Sequence, residues 1–141
     1  MTALATRVHV FCEGQTEETF VREVLQEHFN RIGIYLNAIV VRTSKTGKGG
    51  VNSYAKIKWQ IENKCKEDSQ AWVTTLIDFY GSTNDFPDKQ ASEAMADPYS
   101  KIQRLEQAFT ADINQANFIS NLLLHEYEAL LFTDVSQFSN W

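Results

Sequence analysis

Four short apolar runs, separated by stretches of helical period, constrain this chain more than any other feature of its sequence. "RVHVFC" (7–12), "IYLNAIVV" (34–41), "AWVTTLID" (71–78) and "NFISNLLL" (117–124) are short and rich in β-branched and aromatic residues, the pattern of buried strands. Between the first two, Phe20, Val21, Val24, Leu25, His28, Phe29 and Ile32 step by one, three or four along one helical face. Thr16 is the expected N-cap, Glu17 and Glu18 lie in the first turn, and Gly33 is the expected stop. Tyr54, Ile57, Ile61 and Cys65 restore helical spacing over 52–67. Asp97-Pro98 suits an N-cap and first helical position ahead of the stripe Ile102, Leu105, Phe109, Ile113. "HEYEALLF" (125–132) reads as the start of a short helix, and "FYGSTNDFPDK" (79–89), with Gly81 and Pro87, as a long loop. Alternation of this kind predicts an α/β fold, a mostly parallel sheet of about four strands flanked by helices on both faces. At 141 residues the expectation is a single domain with a real core.

Such a sheet gives the acidic residues a meaning, because ligands of open α/β sheets sit beyond the carboxyl ends of the strands. Glu13 follows the first strand, Asp78 ends the third, and Glu126 and Glu128 follow the fourth. Carboxylates gathered at one edge raise each other's pKa and repel unless a cation neutralises them. Oxygen donors of this type suit Mg²⁺ or Mn²⁺. The alternative for Glu13 is a contribution to the helix N-terminus, and for Asp78 a turn-initiating residue before Gly81. Glu126 and Glu128 diverge by about 200° on a helix, so at most one faces an ion, with Glu126 favoured as nearer the strand. His125 is a candidate base or ligand, with a structural hydrogen-bonding role as its alternative.

Composition narrows the partners. Eighteen acidic against thirteen basic residues leave a net charge of −5, so any nucleic acid must be held locally. Arg42, Lys45, Lys48, Lys56, Lys58, Lys64 and Lys66 crowd one stretch, either a contact face or a solvated helix surface. "SKTGKGG" is not a Walker A loop, since Arg42 and Gly49 stand where Gly and Ser or Thr are needed. Arg42, Lys45 and Lys48 remain candidates for phosphate or nucleic-acid binding. Trp59 and Trp72 are expected in the core rather than as base-stacking platforms. Cys12 and Cys65 form no CxxC pair and read as reduced core thiols. No apolar run approaches the roughly 20 residues of a membrane span, and nothing at the N-terminus marks secretion, so the cytoplasm is the expected location.

"CEGQTEETFV", "TTLIDFYG", "NDFP" and "LLLHEYEALLF", in this order, resemble the DUF4276 family, whose members are regarded as Toprim-like. In Toprim domains of topoisomerases, primases and OLD-type nucleases a glutamate follows the first strand and a DxD pair follows the third, together holding Mg²⁺. The resemblance implies a Toprim-like (Rossmann-like) fold and places those roles on Glu13 and Asp78. Glu13 and Glu17 also match the ExxxE spacing of OLD-type nucleases, making Glu17 a further ligand. The second acid of DxD is replaced by Tyr80, which leaves Asp85 or Asp88, or Glu126 and Glu128, to complete the set. The implied function is a metal-dependent nuclease in bacterial defence or DNA processing. The alternatives are an inactive module that partners an ATPase, and a nucleotide phosphotransferase or sensor. Family members run longer, so truncation at "QFSNW" is expected, and a homo-oligomer is compatible with the sequence.

Overall fold

A computed structural model of the chain describes residues 5–41, 53–78 and 85–123, with Ser53 and Asp78 described by backbone alone. Along the chain come β1 (Thr6–Cys12), a helical run made of α1 (Gln15–Phe20), a π-helical turn (Val21–Leu25) and α2 (Gln26–Asn30), then β2 (Ile34–Val40) and α3 (Ser53–Glu67). β3 (Trp72–Asp78), α4 (Lys89–Glu93), α5 (Pro98–Ile113), β4 (Phe118–Ile119) and β5 (Leu122–Leu123) follow. The sheet runs in the order β2-β1-β3-β4, with β5 also on β3, and every pairing is parallel. The predicted architecture is therefore the observed one. Among the described residues no helix is long and apolar enough to cross a membrane.

The expected fourth strand is present but interrupted. Val73 is level with Phe118 and Asp78 with Leu123, the same offset on both sides of the break. At the break the Thr75 hydroxyl donates to Asn121 O at 2.6 Å and the Asn121 side-chain amide donates to Thr75 O at 3.0 Å. Side chains thus replace ladder hydrogen bonds without a slip in register, and the buried Thr75 is satisfied.

Strand alternation sorts the core into two layers. Phe11, Val73, Ile77, Phe118 and Leu122 pack with Tyr54, Ile61 and Cys65 of α3 and with Ile102, Leu105, Phe109 and Ile113 of α5. Val10, Cys12, Leu36 and Leu76 face the other way, against Val21, Phe20, Leu25 and Phe29 of the first helical run. Of the stripe expected there, Val24, His28 and Ile32 are exposed, the first in the π-helical turn, the second in α2 and the last in the turn beyond it.

Local signals account for the helix ends. Asp97 Oδ2 accepts from Ser100 N at 3.2 Å and Pro98 opens α5, as the sequence predicts. Thr16 is not the N-cap of α1, which falls on the extended Gly14, because the helix begins at Gln15 and takes Thr16 into its first turn. Gly33 adopts a left-handed φ of +79° just past α2, and nothing lies within 4 Å of where a Cβ would stand. Gly33→Ala is expected to cost about 1 kcal/mol from backbone conformation alone. Urea denaturation will show it as a lower midpoint with an unchanged slope.

The exposed edge of β2 is partly closed from above. Gly33 O accepts from Thr6 N and Val41 N donates to Cys12 O, so the groups of alternate residues between them point away from β1. Of these outward groups, Leu36 O accepts from Gln26 Nε2 at 2.6 Å. The Asn30 amide, its nitrogen turned to the strand, reaches Ile34 O at 3.2 Å. Two side chains one helical turn apart thereby occupy acceptors that an added strand would need.

Candidate functional site

The parallel ladder brings the ends of β1 and β3 to one edge. Cys12 is level with Leu76, so Glu13 leaves β1 where Ile77 continues β3, and Asp78 is the next residue on. Adjacent strands lie about 4.8 Å apart. Leu123 of β5 is in turn level with Asp78, so the chain that leads on to His125, Glu126 and Glu128 departs from the same edge.

Glu13 is exposed in the bend between β1 and α1. Glu17, one turn into the helix, is half-buried, with Oε2 about 3.4 Å from where a Gly14 Cβ would stand. Glu18 is held by Arg22 at 3.1 Å. Cys12 lies directly beneath, its Sγ donating to Val10 O at 3.6 Å. Burial first, then the charges of Glu17 and Glu18, push that thiol up to about 12, so it stays protonated. Cys65 is pushed up to about 11, first by burial and then by Glu62. Both cysteines are free and buried, as expected.

Among the described side chains no three His, Cys, Asp or Glu come together as a metal ion requires. The side chain of Asp78 and all of Glu126, Glu128, His125 and Tyr80 lie outside the described residues. Asp85 is exposed near Tyr54, whose phenol donates to Asp112. Burial first, then that hydrogen bond and the acids Asp112, Glu62 and Asp85, raise the Tyr54 pKa well above a free phenol's. Asp88, the other loop acid, takes a left-handed φ of 60° ahead of α4 and meets Arg104 at 3.4 Å.

Arg42, Lys45 and Lys48 also lie outside the described residues. The rest of the basic stretch is divided. Lys58 contacts Asp112 at 3.2 Å and Lys64 contacts Glu67 at 3.2 Å, the arrangement of a solvated helix face. Trp59 and Trp72 are not core residues, being 66 % and 43 % exposed. Trp59 falls off the buried stripe of α3, and Trp72 opens β3 beside the end of the sheet.

Sequence reasoning missed a polar relay on β1. The Arg7 guanidinium grips both carboxylate oxygens of Asp68, just past α3, with Nη2 at 2.8 Å from Oδ1. His9 Nε2 meets Asp68 Oδ2 at 2.8 Å, while its Nδ1 faces the Asn37 amide at 3.0 Å. The hydrogen bonds from Arg7 first, and from His9 next, hold the Asp68 carboxyl far below the usual carboxylate range. The relay ties the end of α3 to β1 and β2, away from the edge that carries Glu13. The alternation of Arg7 and His9 with Val8 and Val10 marks a polar face on β1 but does not name the acid that pairs with it.

A folded-state pKa below the unfolded value of about 3.9 contributes stability above that pH, lost as pH falls toward the folded value. The melting-temperature gap between wild type and Asp68→Ala is therefore expected to be widest near neutrality and to narrow below about pH 4. Melting curves on both proteins across that range check it.

A family model described as "Domain of unknown function (DUF4276)" matches residues 12–141. No curated protein matches the chain.

Proposed function

The chain belongs to the DUF4276 family, and we propose that it hydrolyses phosphodiester bonds in nucleic acid with a divalent cation, Mg²⁺ or Mn²⁺, held at the carboxyl edge of its sheet. One observation carries this reading: the parallel register of β1 and β3, which puts Glu13 and Asp78 on neighbouring strand ends. The donor chemistry fits such an ion, since carboxylate oxygens at an open edge suit a hard cation that keeps part of its water. Glu17 stands one helical turn from Glu13 as a further ligand, with Glu126, Glu128 and Asp85 as the other candidates. When bound, the ion would neutralise charge on the phosphate and lower the pKa of a coordinated water. Glu13 and Asp78 hold the charge balance, His125 is the candidate proton acceptor, and Arg42, Lys45 and Lys48 hold backbone phosphates. The Toprim-like relationship, and a place in bacterial defence or DNA processing in the cytoplasm, belong to the same proposal.

Tyr80 favours a second reading. It stands where the Toprim pattern has its second acid, and an edge short of one ligand suits a module that has given up catalysis and docks on an ATPase. Cleavage assays separate the two. Single- and double-stranded DNA and RNA, incubated with the protein in Mn²⁺, should be cut by wild type and spared by Glu13→Gln. Intact substrates with folded wild type in either metal would remove the hydrolase reading and leave the partner module.

A further inference from the structure

The first helical run holds one residue more than its buried face needs. Gln26 N–H donates to Val21 O, five residues back, which closes the π-helical turn. In an uninterrupted α-helix Val21, Val24, Leu25, His28 and Ile32 would share one face, at steps of one, three or four. The surplus residue turns everything beyond it back by about 100°. Leu25 and Phe29 stay against the sheet, while Val24 and Ile32 are left 53 % and 64 % exposed and His28 is exposed as well. The same rotation brings Gln26 and Asn30 to β2, where their amides meet Leu36 O at 2.6 Å and Ile34 O at 3.2 Å. The polar pair reaches the strand edge only in the register that turns the apolar stripe outward.

We infer that this run is a two-register latch on the edge of β2. In the register observed, the π-helical turn holds Gln26 and Asn30 on the acceptors of β2. In the other, the surplus residue moves into the turn beyond α2, the α-helix continues from Val21 without interruption, Val24 and His28 turn to the sheet, and both amides withdraw. The sequence itself supplies the second register, because its apolar stripe of α-helical period matches that state and not the observed one. Two side-chain hydrogen bonds stand against the burial of Val24 and the His28 ring, effects of comparable size and opposite sign. Straightening bares Leu36 O and Ile34 O, so the latch decides whether β2 presents acceptors along its edge. The latch is independent of the metal reading.

Thiol labelling reads the register, because both native cysteines are buried. Val24→Cys places a thiol that is exposed in the observed register and covered in the other. With Gln26 and Asn30 in place it should label readily in the folded protein. Adding Gln26→Ala and Asn30→Ala removes the latch and should slow that labelling several-fold, the opposite of what general destabilisation does. His28→Leu, which leaves the latch in place and strengthens the apolar stripe, should slow it as well, and decides the matter if the double variant does not fold. Labelling of Val24→Cys that is unchanged or faster in the folded double variant, or in His28→Leu where that one alone folds, would overturn the inference.

Discussion

Phe109→Ala is expected to lower the unfolding free energy by about 3–5 kcal/mol, the largest loss from any single side chain in this core. Phe109 is fully buried and meets Phe86 and Phe118 at ring-centroid distances of 4.9 Å, and Tyr54 at 6.0 Å, all edge-to-face. Its removal takes away apolar burial, leaves a cavity, and ends three aromatic contacts at once. These contacts join α5 to α3, to β4 and to the segment ahead of α4, so no one element can close the gap. Against a total of about 5–15 kcal/mol for a domain, such a loss is a large fraction of the stability. Urea denaturation measures it, and Phe109→Leu should recover most of the stability because it restores most of the volume.

Asp78→Asn is expected to act in opposite directions with and without metal. With wild type, an ion bound only by the folded state stabilises by mass action, about 2.7 kcal/mol at a hundred times its dissociation constant. Mg²⁺ or Mn²⁺ should then raise the melting temperature by several degrees, and Asp78→Asn should abolish the rise. Without metal the variant should melt at or above wild type, because one of several like charges at the edge is gone. A purely structural Asp78 predicts the reverse in apo protein, a lower melting point in the variant and no dependence on metal.

Much of this fold could be read from local chemistry. The Asp97-Pro98 start of α5 and the stop at Gly33 are decided within a few residues, and both stand where the sequence puts them. The stripe from Ile102 to Ile113 is buried in full because it faces β3 and β4 across one layer. That Glu13 and Asp78 share an edge was also legible, since helical crossovers dictate parallel strands and parallel strands end together. What the sequence concealed was settled at a distance. Asp68 finds Arg7 and His9 some sixty residues away, and no local pattern announces the pairing. Trp59 and Trp72 read as core because they are large and aromatic, yet size does not tell which face receives a cover. Thr16 is a better capping residue than Gly14, but the length of β1 and the bend after it decided where the helix began.

The proposed function turns on whether the carboxyl edge holds a divalent ion, and Mn²⁺ reports that directly through the paramagnetic resonance signal of the free ion. Titrating Mn²⁺ into wild type should give a saturable loss of that signal, reversed by excess Mg²⁺ and absent in a folded Glu13→Gln, Asp78→Asn double variant. A signal that follows total Mn²⁺ into the millimolar range with folded wild type, or equal binding by the double variant, would contradict it.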